Sequence, residues 1–217
     1  MVKEDVKTTY KKILSKYIPE QTLDIIADWV LHFNFNLKIT VDRTTKMGDY
    51  RHPHGKQRHF ITINHNLNKF SFLITLIHEI AHLTVWEKYQ NKVKPHGTEW
   101  KQEYKKLMQH FLNNTVFPDD ILQALQNYMK NPSASSCSDE NLLRILKKYD
   151  THKIKKTHLE EIPLNTVFLF TKNRYFEKGE RMRKRFKCRE IKTNQFYLFS
   201  PLAEVTIVST PLFTNEQ

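Results

Sequence analysis

His78-Glu79-Ile80-Ala81-His82 is the stretch on which the reading of this 217-residue chain turns. On a helix, residues four apart lie one above the other on a single face. The spacing aims His78 and His82 at a common point, as two imidazole ligands of one zinc ion require. Glu79, one position round, reaches a water at that ion but is poorly placed as a third ligand. Two ligands, one general base and one helix make the arrangement of a zinc hydrolase. In a chain of this composition about 0.04 such matches are expected by chance. Phe72-Leu73-Ile74-Thr75-Leu76-Ile77 precede the motif, and Ala81, Leu83, Val85 and Trp86 continue the apolar character. Two histidines and a glutamate inside such a helix need polar partners. Backbone groups or carboxylates are the plain source of them, and a metal ion is the direct one.

A catalytic zinc takes three protein ligands and keeps one position open. A metzincin continuation would need Gly at 85 and His at 88, but Val85 and Lys88 stand there. The next candidate is His96, in Lys94-Pro95-His96-Gly97-Thr98-Glu99-Trp100-Lys101. Pro95 and Gly97 bracket it, so the first helix ends, His96 is presented from a turn and a new helix begins near Thr98. Glu99 or Glu103 on that second helix is the competing third ligand. The expectation is His96, with the carboxylates at the surface or behind the ligands.

The pairing of His78-Glu79-Ile80-Ala81-His82 with Pro95-His96-Gly97-Thr98-Glu99-Trp100 resembles the SprT-like zinc metalloproteases, relatives of the Spartan proteases that degrade proteins crosslinked to DNA. His59-Phe60-Ile61-Thr62-Ile63-Asn64-His65-Asn66-Leu67-Asn68 leads into the helix as an extended segment does in that family, and Phe117-Pro118-Asp119-Asp120 and the basic, aromatic C-terminal region are also similar. The likeness spans most of the chain, with residues 59–100 its specific part. It implies an α+β fold with a mainly helical, zincin-type metalloprotease domain carrying a small antiparallel sheet. It implies His78, His82 and His96 as ligands of one zinc ion, and Glu79 as general base. One feature departs from the pattern. Many relatives end in a zinc ribbon with paired cysteines, whereas this chain has only Cys137 and Cys188 and no Cys-x-x-Cys. Two isolated cysteines make neither a four-thiolate site nor a disulfide framework, and they point to a reduced, cytoplasmic protein.

The organisation reads as two parts: residues 1–150 as the metalloprotease domain and 163–217 as a small antiparallel β domain, joined by a Lys- and His-rich linker at 151–162. Helices are expected over 3–16, 20–32, 68–90, from Thr98 onward, from Pro118 to Lys130, and from a Ser138 cap to Tyr149. Strands are expected at 37–41 and 58–64 with a polar loop between them, and in the second part at 166–171, 185–191, 195–199 and 204–208. The strand at 58–64 could pair with an extended peptide substrate. The longest apolar run is too short to cross a bilayer, the N-terminus does not read as a signal peptide, and no phosphate loop occurs.

The charge is uneven. The chain carries a formal +12, and residues 172–192 hold ten Lys or Arg against three Glu, a net of +7. Lys178, Arg181, Arg183, Lys184, Arg185 and Lys187 are the expected phosphate contacts. Tyr175, Phe176, Phe186, Phe196 and Tyr197 lie among them, with Phe176 and Tyr197 the rings taken for base stacking. DNA, single-stranded by preference, is the expected partner beside protein substrates. A second basic stretch runs from Arg51 to His59, whose histidines read as exposed loop residues. His65, Tyr50 and Tyr104 are the candidates to stabilise an oxyanion. Two other classes compete with a protease: a nucleic-acid-binding protein with a structural zinc, and a metallohydrolase of a non-peptide bond. An intact Glu79 favours an enzyme.

Overall fold

The computed structural model describes residues 2–41, 43, 46–133, 139–150, 157–171 and 173–208. The chain forms an α+β fold of two compact units, residues 1–152 and 153–217. Among the described residues no helix is long and apolar enough to cross a membrane.

The first unit is built round one helix. Its elements in chain order are α1 (Val2–Leu14), α2 (Leu23–His32), β1 (Asn36–Thr40), β2 (Gly48–Arg51), β3 (Phe60–Asn64), α3 (Lys69–Tyr89), α4 (Thr98–Met108), α5 (Asp119–Lys130) and α6 (Glu140–Lys147). Helix α3 begins where Asn68 accepts hydrogen bonds from the backbone N–H groups of Phe70 and Ser71, satisfying two of the donors left free at a helix start. The Asn68 amide also donates to the Leu146 carbonyl and to the Asp150 carboxylate, tying the start of α3 to the end of α6. Every residue from Ser71 to Ala81 is buried, so the helix is surrounded on all sides, as its unbroken apolar character dictates. Ile61 and Ile63 of β3, Trp100, Tyr104 and Met108 of α4, and Ile121 and Leu125 of α5 belong to the same core. Pro118 precedes α5, and Asp119 and Asp120 in its first turn complement the helix dipole. The cap of α6 is Asp139, whose carboxylate accepts from the Leu142 amide; Ser138 lies outside the described residues.

The three-stranded sheet is mixed, not antiparallel as expected. Its order is β1-β3-β2, with β1 parallel and β2 antiparallel to β3. The polar segment between the two expected strands supplies β2, which lies on the far side of β3 and leaves β3 in the middle. Both sides of β3 are therefore paired, and an extended peptide cannot add to it; β2 is the edge strand on the side of α3.

The second unit is an antiparallel sheet of seven strands: β4 (Thr157–His158), β5 (Val167–Leu169), β6 (Tyr175–Glu177), β7 (Arg181–Met182), β8 (Arg185–Glu190), β9 (Phe196–Phe199) and β10 (Glu204–Ile207). Phe168, Phe176, Phe186, Cys188, Phe199 and Val205 fill its core, with Leu159 and Ile162. Residues 157–162, expected in the linker, are part of this unit: β4 pairs with β10, and Leu159 and Ile162 sit in its core. Residues 151–156 lie outside the described residues.

Candidate metal centre

His78 and His82 project from successive turns of α3, and His96 comes from the turn before α4. The Nε2 atoms of the three rings converge: 3.3 Å from His78 to His82, 3.3 Å from His78 to His96 and 2.9 Å from His82 to His96. Among the described residues they form the group of side chains able to hold a metal ion. His96 reaches the other two because its backbone adopts φ 58°, left-handed geometry unusual for a residue with a side chain. The Gly97 amide closes the turn by donating to the Lys94 carbonyl at 3.0 Å, and α4 starts at Thr98. Glu99 and Glu103 are not in the group; Glu103 accepts from the Lys88 ammonium at 2.5 Å, linking α4 to α3.

Trp100, wholly buried on α4, lies against all three imidazoles, with ring centroids 4.6 Å from His78, 5.4 Å from His82 and 4.7 Å from His96. This apolar wall withholds water from the histidines. Burial pushes His78 down to about 2, helped by His82 and His96, and pushes His82 down to about 3, helped by His96. Burial lowers His96 too. All three are therefore neutral at pH 7 and keep the lone pairs that a metal needs.

Glu79 is buried beside the ligands, 6% exposed. Burial drives its carboxyl up to about 8, Asp49 adds to the rise, and Arg43, Lys46 and a hydrogen bond from the Tyr50 backbone N–H oppose it. A carboxylate so placed takes up a proton readily near neutrality, as a general base must. Strand β2 makes the approach possible: a Cβ at Gly48 would stand 2.6 Å from the Glu79 Oε1, so any side chain there would push the carboxylate away.

The same strand carries Tyr50, whose ring lies 7° from parallel to the His82 ring at 6.3 Å. Its hydroxyl is hydrogen-bonded to His59 Nδ1 at 2.9 Å, and His59 Nε2 meets Glu87 Oε1 at 2.7 Å. His59, read as an exposed loop residue, is buried; His52 and His54 are exposed as expected. Burial, with the Glu87 charge, raises the Tyr50 hydroxyl far above the ordinary phenol range, so it stays protonated. The Tyr104 ring, fully buried, lies 5.5 Å from the His78 ring with its hydroxyl donating to the Ile74 carbonyl, and His65 is exposed in a turn. Sequence reasoning missed Gly48, His59, Glu87 and Trp100 as parts of the centre. For Gly48 a signal existed: it is one of only four glycines in the chain.

In the second unit, Arg181, Arg183, Lys184, Arg185 and Lys187 are exposed on β7, β8 and the turn between them. Lys178 is not: it is 4% exposed, its ammonium donating to the Ile162 and Glu160 carbonyls and lying 4.3 Å from the Phe186 ring centre. Phe176, expected to stack on bases, is buried between Phe168 and Phe199, and Tyr197 is packed edge-on against it. Among the described residues of this unit Phe196, 59% exposed, is the aromatic ring that faces outward, with Leu198 two residues on and the Lys187 ammonium 4.3 Å from its centre.

Residues 21–122 match the model of the SprT-like family, which is generally linked to zinc metallopeptidases. The match takes in all three strands of the first sheet, α3, the His96 turn and α4, and leaves α6 and the second unit outside it. Neither the comparison with curated proteins nor that with solved structures gave a match.

Proposed function

With residues 21–122 placed in the SprT-like family, we propose that the chain is a zinc-dependent, zincin-type metallopeptidase in which His78, His82 and His96 hold one zinc ion and Glu79 is the general base. The convergence of three Nε2 atoms beside a buried carboxylate carries the reading. Zinc–nitrogen bonds of 2.0–2.1 Å in a tetrahedron put ligand nitrogens about 3.3–3.4 Å apart. Two of the separations, both 3.3 Å, fit as they stand, and the third, 2.9 Å, would need to open by a few tenths of an ångström to hold zinc. When bound, zinc acidifies water and polarises the scissile carbonyl.

The chain's own residues supply the remaining steps. Glu79, held by the Tyr50 N–H and free of any side chain at position 48, takes a proton from the attacking water and delivers it to the leaving amine. Trp100 keeps the ligand side dry and the imidazoles neutral. The edge of β2 beside Glu79 offers backbone groups to an extended peptide, a mode of recognition that tolerates varied sequence. Elemental analysis and cleavage of an unfolded protein test the reading together: one zinc per chain and Glu79-dependent cleavage are expected, and two zincs per chain, or cleavage unaffected by Glu79→Gln, overturn it.

Proteins held on DNA are the proposed substrates, in the cytoplasm, with the second unit as tether. Support comes from the exposed row Arg181, Arg183, Lys184, Arg185 and Lys187, with Phe196 and Leu198 on the neighbouring strand. Such a face offers cations to phosphates and one ring to a base, the combination that favours single strands. Tethering protease and substrate to one polymer raises their effective concentration without a selective pocket.

A further inference from the structure

The hydrogen bonds that begin at Glu87 lead back to both halves of the metal centre. Glu87 lies on α3, beyond His82, with its side chain half exposed; His59 lies just before β3 and is buried; Tyr50 lies on β2. A carboxylate can only accept, so His59 Nε2 donates to Glu87 at 2.7 Å. When His59 is neutral, its Nδ1 is the acceptor, and the single proton of the Tyr50 hydroxyl goes to it at 2.9 Å. In that state the hydrogen bonds run from Tyr50 to His59 to Glu87. The Trp86 ring meets His59 edge-on at 5.4 Å and braces the imidazole from α3.

Tyr50 meets the centre at two points. Its ring lies parallel to the His82 imidazole, and its backbone N–H bonds the Glu79 carboxylate. Moving Tyr50 along or away from α3 therefore shifts a ligand and the base together, and the hydroxyl anchor prevents that movement. We propose that Tyr50 is a positioning residue, held by His59 and Glu87, that keeps the His82 ring and the Glu79 carboxylate in register with each other. In that state its hydroxyl proton goes to His59 and not to the substrate's developing oxyanion. The inference rests on the metallopeptidase reading for its kinetic consequence, while its effect on the metal ligands stands apart from it.

The test is a double-mutant cycle in the full chain with Tyr50→Phe and His59→Gln, read in two ways. In the zinc-loaded protein, removing either side of one hydrogen bond lowers kcat by about ten- to a hundredfold, the range for partners that orient metal ligands. KM stays within about twofold, and the double variant is no worse than either single one because both remove the same interaction. In the cobalt-loaded protein, which needs no turnover, the visible absorption bands shift alike in both variants. Glu87→Ala, at the exposed end where folding is least at risk, gives the same shift in smaller measure. A loss of kcat in Tyr50→Phe with His59→Gln unchanged overturns the proposal and makes the hydroxyl a direct donor to substrate. Unchanged cobalt spectra in all three variants also overturn it. A wild-type protein that binds zinc but cleaves nothing defeats the metallopeptidase reading instead, and the cobalt spectra still decide the positioning.

Discussion

The first unit buries the groups that would act, and the second displays them. His78 and Glu79 are 7% and 6% exposed at the centre of an apolar helix, whereas Arg181 to Arg185 and Phe196 face outward over a core of phenylalanines. The two arrangements suit different physics. A base and three neutral imidazoles gain from exclusion of water, which sets their protonation and strengthens each local interaction. Phosphate contacts need no dry pocket; they act over the surface field and weaken with salt. One mutation in the first unit should therefore remove a function outright, while the second should lose its function in graded steps.

Glu79→Gln sharpens that contrast most. It keeps the side chain's size and should lower peptide hydrolysis by about a hundredfold or more, with zinc content, melting temperature and DNA affinity unchanged. Activity within about tenfold of wild type would break the comparison at its root, because the buried carboxylate would then be no base. His96→Ala comes next. It should weaken zinc binding beyond the ten- to hundredfold typical of residues behind the ligands, whereas Glu99→Ala and Glu103→Ala should leave stoichiometry intact. Competition with a chromophoric chelator measures all three.

The graded effects belong to the second unit. Replacing Arg181, Arg183, Lys184 and Arg185 with Ser should flatten the salt dependence of single-strand binding by about 0.7 per lost phosphate contact. Phe196→Ala should then remove the preference for single over double strands, at about 1–3 kcal/mol for the lost stack. The control is Phe176→Ala, which should lower the stability of the unit by about 3–5 kcal/mol, as loss of a core ring does. Equal binding by the four-fold variant at every salt concentration would leave the basic face a solvated surface. The smallest effect is on acid stability. The Arg174 hydrogen bond, with help from Thr193, holds the Glu190 carboxyl down to about 2. A depressed folded value contributes stability above the ordinary carboxylate value, 4.5, that is lost as pH falls toward 2. Glu190→Gln should remove that part of the pH dependence, seen in melts of the protein between those limits.

The legibility of the two units in the sequence differs for the same physical reason. His78, Glu79 and His82 could be read because helical periodicity alone fixes their directions, and Pro95 and Gly97 announced the turn that presents His96. The small elements could not. Gly48-Asp49-Tyr50-Arg51 has no apolar alternation and is a strand because β3 and α3 flank it. His59 is buried through a partner 28 residues further on, which no local pattern records. Lys178 was read as surface because lysines usually are, yet its ammonium satisfies carbonyls at the end of a short 3₁₀ turn, Leu159–Glu161. Aromatic alternation in the second unit located strands, but which ring faces outward depends on register, and Phe176 and Phe196 fell on opposite sides of it.

The place of β3 between β1 and β2 also orders events during synthesis. The middle strand is the last of the three to leave the ribosome, so β1 and β2 emerge without the partner each requires and cannot pair until residue 64 is clear. Helix α3 follows at once, and the site's two helical histidines with it. A pause in translation between β2 and β3 would hold two unpaired strand edges in the open, the condition under which nascent chains aggregate. Silent codon changes in the segment 52–59 should therefore alter the yield of folded protein without altering a single residue of the centre.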